Sequence, residues 1–163
     1  FDRSHYEIEK YEPNPDATKW VIDMIITDNE AVSVCSALNG LGQDFSITRQ
    51  THWEISMDGD QGSVLKKIDA TWELYNSNKE FISNLVTGNN TASFLVRPKE
   101  DVLGRAKLES LIKRFEISGL TQLKHGVIWN VTINSGNFES VLKDVLNTHI
   151  LFNPLSYECY RIN

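Results

Sequence analysis

The side chains that titrate nearest to neutral pH are four histidines, His5, His52, His125 and His149. His52 and His125 belong to two strand-like segments, where paired histidines could serve acid–base chemistry or hold a metal. They differ in register, because His52 lies one residue before Trp53 and His125 lies four residues before Trp129. No two histidines or cysteines have metal-ligand spacing, and no nucleophile lies next to a base. We therefore favour strand-surface roles for both, and expect no metal or other cofactor.

The segment Asp58-Gly59-Asp60-Gln61-Gly62 offers two carboxylates that could bind a cation. Glycine and aspartate are also the residues that turns prefer, and a turn is the simpler interpretation. Neither this segment nor 134–137, which reads Asn-Ser-Gly-Asn, matches G-x-G-x-x-G or a P-loop. A phosphate cradle is therefore at best weakly supported by the sequence.

Residues 97–107, which read RPKEDVLGRAK, are the densest group of polar side chains in the second half of the chain. They follow a predicted strand and open a predicted helix. A solvated loop would explain them, but loops at such connections often carry binding contacts. We predict a contact with a partner here, and a binding or assembly module rather than an enzyme.

The composition is that of a soluble globular protein, with 40% hydrophobic and 23% charged residues. A net charge of −6 makes nucleic acid an unexpected partner. The chain has neither an apolar run of about 18 residues, as a membrane span requires, nor a secretory signal. A cytoplasmic location without membrane contact is expected.

Hydrophobic periodicity predicts an α+β fold after a polar N-terminal arm, residues 1–17. The segment 45–57 indicates two strands or one bent ribbon, and 120–133 indicates a strand pair that bends at Gly126. Four helices are predicted from apolar stripes at 34–41, 64–75, 108–115 and 141–150. The first is opened by Asp28-Asn29-Glu30 and stopped by Gly40 and Gly42. The other predicted strands are 18–27, 80–86, 91–98 and 157–162.

The chain also repeats itself. Trp53–Met57 matches Trp129–Ile133 at an offset of 76, and two further blocks match at an offset of 77: Ser63–Lys66 with Ser140–Lys143, and Leu74–Asn76 with Leu151–Asn153. Three blocks in one order predict two repeats, 18–86 and 91–163. Each has the βαββαβ order of a ferredoxin-like unit. We expect the two units to pack sheet against sheet as a pseudo-dimer, the single-chain equivalent of a homodimer.

The second repeat resembles the PurS subunit family of phosphoribosylformylglycinamidine synthase. The family pattern K-x-G-V-L-D-P-x-G-x-A is matched by Lys99, Val102 and Leu103, with Asp101 where the family has glycine. Gly126 matches the glycine of its strand pair. The closing pattern of the family is matched in LFNPLSYECYRI by Leu151, Asn153, Pro154, Leu155, Glu158 and Tyr160.

This resemblance implies a tandem, duplicated PurS with no active site of its own. Members of the family bridge the PurL-type synthetase and the PurQ-type glutaminase, so that ammonia passes between them in de novo purine biosynthesis. The whole assembly is a glutamine-dependent, ATP-driven carbon–nitrogen ligase. The residues that the resemblance assigns to partner binding are Lys99, Asp101, Val102, Leu103, Gly126, Asn153 and Pro154.

Two other functions remain open. An ACT-like small-molecule sensor also pairs ferredoxin-like units, although the first βα loop here, which contains Asp28, lacks the glycine usual in that class. An acylphosphatase-like hydrolase would need an arginine in a phosphate-cradling loop; Arg97 and Arg105 lie near the loop, but no glycine-rich cradle accompanies them. Self-association through edge strands is a further possibility.

Overall fold

The computed structural model describes residues 8–12, 15–25, 28–39, 45–86, 88–133, 138–148, 150–151 and 153–162, without the side chains of Leu38, Phe45 and Asn147. It has the predicted α+β class, with a seven-stranded sheet and four helices. The strands are β1 (Glu9–Lys10), β2 (Ala17–Met24), β3 (Phe45–Met57), β4 (Glu80–Ser83), β5 (Thr91–Pro98), β6 (Leu120–Ile133) and β7 (Tyr157–Arg161). The helices are α1 (Asn29–Asn39), α2 (Gln61–Thr71), α3 (Val102–Lys113) and α4 (Phe138–Asn147).

The strands form one sheet in the order β1-β7-β5-β6-β3-β2-β4, in which only the short β1 runs parallel to its neighbour. The two longest strands, β3 and β6, pair antiparallel along their whole length, from Phe45 opposite Ile133 to Met57 opposite Leu120. The two halves of the chain therefore meet edge to edge. The expectation that two sheets would pack face to face is wrong, because pairing of the long strands joins them into one sheet.

The β3–β6 pairing places equivalent residues of the two repeats symmetrically. Thr51 lies opposite Val127. These two residues are 76 positions apart, as are Trp53 and Trp129, so they are equivalent positions of the two repeats. On either side of this pair, Trp53 lies opposite His125 and Arg49 lies opposite Trp129. The rings of Trp53 and His125 have centroids 4.8 Å apart, and the Arg49 guanidinium lies 5.7 Å from the Trp129 ring. His125 is thus the counterpart of Arg49, and His52 has no histidine counterpart.

Each half supplies one long strand where sequence analysis expected two strands or a bend. The segments 45–57 and 120–133 contain no proline and no turn dipeptide, so nothing in them reverses the chain. β2 covers β3 only at 51–56, and β5 covers β6 only at 127–132, while the remaining parts are supported by the β3–β6 pairing. Each half therefore has the order β-α-β-α-β, and the four-strand ferredoxin-like unit is not confirmed.

All four helices pack on one face of the sheet, which we call the helical face, over two apolar clusters. One cluster joins α4, β5 and β6 to Ala31 of α1 and Ile47 of β3. The other joins α2, β2 and β3 to Leu111 of α3 and Leu123 of β6. Each cluster takes residues from both halves of the chain. The repeat boundaries at 86 and 91 remain predictions from the sequence.

The opposite face, which we call the open face, carries buried polar side chains. A chain of hydrogen bonds runs from Ser93 Oγ to Asn130 Oδ1 (2.6 Å), from Asn130 Nδ2 to Gln50 Oε1 (3.1 Å), and from Gln50 Nε2 to the carbonyl oxygen of Asn84 (3.0 Å). Asn84 lies in the connection between β4 and β5, which are far apart in the strand order. These polar groups thus fix a connecting segment on the open face, and that contact satisfies them.

Candidate functional site

Asp101, a predicted partner-binding residue, is the N-cap of α3. Its carboxylate accepts hydrogen bonds from the main-chain N–H of Gly104 (2.8 Å) and from that of His125 on β6 (2.9 Å). Asp28 has the same place before α1, where it accepts from the main-chain N–H of Ala31 (3.2 Å) and from Nε of Arg49 (2.8 Å). Asp101 therefore fixes the start of α3 against the sheet, as Asp28 does for α1.

Asn153 begins the turn that leads into β7. Its side-chain oxygen accepts from the N–H of Leu155 (3.0 Å), and its carbonyl accepts from the N–H groups of Ser156 and Tyr157. Asn76 makes the same three bonds before β4, to Asn78, Lys79 and Glu80. The repeated Leu-aromatic-Asn block is thus a repeated Asx turn. Pro154, next in the chain, lines a small cleft beside Cys159 and Tyr160.

Gly126 is buried within β6 and lies opposite His52. A Cβ atom at this position would lie 2.7 Å from Leu95 Cδ1 and 3.2 Å from Arg97 Cγ, both on the neighbouring strand β5. The glycine lets β5 side chains close over β6. Gly126 therefore has a packing role, and its part in partner binding stays a prediction.

The remaining predicted residues surround an exposed apolar surface. The main-chain N–H of Lys99 donates to the carbonyl of Ser156 (2.9 Å) and so joins the loop after β5 to the turn before β7. Next to this junction, four large side chains are exposed, which we call the apolar patch: Val102 (62%), Leu103 (44%), Leu155 (76%) and Tyr157 (41%). Exposed apolar groups gathered at one place are typical of binding surfaces.

The first half of the chain has polar residues at the places of the apolar patch. Asn29 and Glu30 follow the cap Asp28 as Val102 and Leu103 follow Asp101, and Asn78 follows Asn76 as Leu155 follows Asn153. Sheet register gives the fourth match, because Glu80 lies opposite Met24 as Tyr157 lies opposite Pro98. The apolar patch therefore belongs to the second half alone.

Val102, Leu103 and Tyr157 also line a cleft of about 420 Å³ on the helical face, which we call the central cleft. Its other walls come from both halves: Glu30, Arg49, Val96, Pro98, Glu100, His125, Val127, Trp129 and Leu151. Burial lowers the pKa of His125, so its ring is neutral at neutral pH. Arg49 is held by Asp28 and Glu30. Most of the lining side chains are apolar, and a cleft of this size can accept an apolar side chain of a partner or a small molecule.

A second group of titratable side chains lies buried on the open face. Glu54 accepts from Tyr11 Oη (3.1 Å) and from Arg97 Nη2 (3.2 Å), and the Arg97 guanidinium lies 5.3 Å from the Tyr11 ring. His52 lies edge-on to Tyr11 and is 3% exposed; its Nδ1 has no hydrogen-bond partner within the described ranges. Burial, with Arg97 nearby, lowers the pKa of His52 to about 4. Burial and Glu54 raise the pKa of Tyr11 to about 12.

This group holds the N-terminal arm against the sheet, because Tyr11 also donates its main-chain N–H to Arg161 of β7. The strand-surface role expected for His52 is wrong, since Tyr11 covers it. Alternation along β3 places His52 on the open face, but no sequence pattern indicates that the N-terminal arm covers this face.

The predicted turn at 58–62 is shorter in the structure, because Asp58 and Gly59 form a bend and Gln61 already begins α2. Asp60 is the N-cap of α2 and accepts from the N–H of Ser63, while the N–H of Asp58 donates to Gly119 (2.6 Å). In the part of the chain that the structure describes, no group of three or more His, Cys, Asp or Glu side chains could hold a metal ion. Nor does any helix there have the length and apolar character needed to cross a membrane.

The chain matches no model of a known protein family, and a search of curated proteins gives no match. The predicted partner-binding residues can therefore be judged only by their positions in the structure. The structure brings Lys99, Asp101, Val102 and Leu103 together with the turn at Asn153, and leaves Gly126 inside the sheet.

Proposed function

We propose that this chain is a PurS-like scaffold that bridges a PurL-type synthetase and a PurQ-type glutaminase. In this proposal the two halves are tandem PurS-like units that form a pseudo-dimer through β3 and β6. The chain would act by fixing the two catalytic subunits relative to one another, so that ammonia released by one is consumed by the other before it escapes into water.

The observation that carries the proposal is the apolar patch on the second half. A scaffold of two identical halves presents every surface twice, whereas halves that differ can present a surface once, so that one partner binds at a single place. The polar residues Asn29, Glu30, Asn78 and Glu80 of the first half supply that difference. We assign the apolar patch to the synthetase, the subunit that consumes the ammonia.

An exchange of patch residues tests this assignment. The variant V102N/L103E installs the residues of the first half, and V32N/I112E makes matched changes at exposed apolar sites on α1 and α3. Complete burial of a Val or Leu side chain is worth about 1.5–3 kcal/mol. With roughly half of each patch side chain exposed, we expect a loss of about 2 kcal/mol, or about 30-fold in Kd.

Binding of the purified synthetase subunit from the same organism is measured for all three proteins by biolayer interferometry. Weaker binding by V102N/L103E alone, with an unchanged unfolding temperature, supports the assignment. Equal binding by V102N/L103E and the parent chain contradicts it. No binding by the parent chain contradicts the proposed function itself.

The central cleft favours a second candidate, an ACT-like sensor. Ligands of that class bind between paired units, and this cleft has walls from both halves. A sensor would bind a small molecule without either subunit. A ligand screen by thermal shift, with the shift abolished by Leu103→Glu, would favour the sensor over the scaffold.

A further inference from the structure

We propose that the second half of the chain carries a binding site for a small organic phosphate, separate from the surface assigned to the synthetase. The site is a cleft of about 560 Å³ that lies where β5 ends and β6 continues, which we call the outer cleft. Its walls are the end of β5, the loop before α3, the first turns of α3, the first part of β6, and β7.

Basic side chains from four elements converge on the outer cleft: Arg97, Lys99, Arg105 and Lys124. Its acidic side chains are Glu100, Asp101 and Glu158, and each has a partner. Asp101 binds two main-chain N–H groups, Glu100 pairs with Arg105 (3.1 Å), and Glu158 accepts from Tyr160 Oη (2.7 Å). Buried Glu54 also pairs with Arg97 (3.2 Å) and lies 4.0 Å from Lys124, so these charges are balanced and no excess of positive charge results. It is the convergence of four basic side chains on one cleft that favours an anionic ligand.

The first half provides an internal comparison. The equivalent notch, beside β3 where β2 ends, is a cleft of about 240 Å³ lined by one basic and two acidic side chains, Arg49, Asp23 and Asp28. Asp23 of β2 is equivalent to Arg97 of β5. Each lies three residues after the residue that pairs with a repeat tryptophan: Trp20 pairs with Trp53, and Phe94 pairs with Trp129.

Two further positions changed in the same direction. Val32 follows the cap Asp28 by four residues, as Arg105 follows Asp101, and Thr48 precedes Trp53 by five, as Lys124 precedes Trp129. The three positions are thus basic in the outer cleft and not basic in the first-half notch: Arg97, Arg105 and Lys124 correspond to Asp23, Val32 and Thr48. Arg97 and Lys124 also balance the charge of buried Glu54, whereas neutral Asn130 lies opposite Thr48 in the first notch. Arg105 is exposed and pairs with exposed Glu100, so Arg105 is the change that indicates a function of the outer cleft.

The main-chain donors of β6 favour a phosphate in particular. The edge of β6 that β5 leaves uncovered directs main-chain N–H groups of alternate residues toward the cleft, and one of these, at His125, already binds a carboxylate. Guanidinium forks and main-chain donors are the groups that proteins use for phosphate oxygens.

The size of the outer cleft indicates an organic phosphate. A volume of about 560 Å³ exceeds what a phosphate ion fills and lies in the range of small-molecule sites. Thr121, Gln122 and Tyr160 line the rest of it and offer hydroxyl and amide groups to the remainder of a ligand.

The test uses the full chain and AMP as a phosphate-monoester probe, with adenosine and inorganic phosphate for comparison, at constant ionic strength. Amide chemical shifts report binding. The cleft variant R105V/K124T installs the residues of the first half. The control variant K66T/K143T removes two equally exposed lysines at equivalent places on α2 and α4.

We expect AMP to shift the amides of 121–125 in the parent chain and in K66T/K143T, and to bind R105V/K124T at least 10-fold more weakly. Competition by inorganic phosphate, with no binding of adenosine, would support the site. Absence of AMP shifts at 121–125, equal binding of adenosine, or an equal loss in both variants would overturn it. If R105V/K124T does not fold, Lys124→Gln alone is tested against Lys66→Gln. None of these outcomes depends on the synthetase, so they are independent of the scaffold proposal.

Discussion

Replacement of His52 by glutamine should make the stability of the fold less sensitive to acid. His52 is buried beneath Tyr11, and burial together with Arg97 lowers its pKa to about 4 from the ordinary 6.5. Lys19 and His125 act in the same direction and Glu54 opposes them. Glutamine keeps a polar side chain of similar size but cannot titrate.

The sign follows from proton binding in the two states. Between pH 6.5 and about 4, His52 is protonated in the unfolded chain and neutral in the folded one, so the unfolded state binds more protons. The free energy of unfolding therefore falls as the pH falls through this window, and the full stabilisation is present only above the ordinary pKa. At about 1.4 kcal/mol per pKa unit, this residue alone should cost about 2 kcal/mol between pH 7.5 and pH 5.

Urea unfolding of the parent chain and of His52→Gln, at half-unit steps from pH 5 to pH 7.5, measures the effect. The stability of the variant should decline less, by about 2 kcal/mol across the range. His125→Gln serves as a comparison, because burial also lowers the pKa of His125. Parallel stability–pH curves for the parent chain and His52→Gln would refute the assignment of a buried, neutral His52.

Two other changes test the packing. Gly126→Ala should lower the free energy of unfolding by about 1–3 kcal/mol, because its Cβ would meet Leu95; urea unfolding checks this, and an unchanged midpoint would contradict the close approach of β5 and β6. Asn76→Ala and Asn153→Ala should each cost about 1 kcal/mol, since each removes the same Asx-turn hydrogen bond. Thermal unfolding compares the two, and a large cost for only one of them would show that the repeat turns are not equivalent.

The internal repeat was the most informative feature of the sequence. It correctly paired Asn76 with Asn153 and Trp53 with Trp129, and the structure gives each pair the same local role. Such matches are readable because a turn or a helix cap depends on a few neighbouring residues.

The arrangement of the two halves could not be read from the same pattern. Alternation in 45–57 indicates a strand but does not say which strand lies beside it, and the pairing of Phe45 with Ile133 joins residues far apart in the chain. The burial of His52 and Glu54 had the same cause. Their covering group, Tyr11, comes from a distant segment that local periodicity does not connect to β3.

Charge in the sequence marks the segment 97–107, but it does not show how the side chains of that segment are arranged. The segment 97–107 was singled out by its charge, and the structure divides it between two tasks. Val102 and Leu103 belong to the apolar patch, while Arg97 and Arg105 face the outer cleft. The contrast with Asn29 and Glu30 needed the structural equivalence of Asp28 and Asp101, which share no sequence block.

The most direct test of the scaffold is reconstitution of the synthase reaction with the PurL-type and PurQ-type subunits of the same organism. Product formation is measured with glutamine and with ammonia as nitrogen donor, each with and without this chain. If the chain is the coupling scaffold, the glutamine-driven rate requires it and the ammonia-driven rate does not. Equal glutamine-driven rates in its presence and absence, with no complex of the three proteins, would rule out a coupling role.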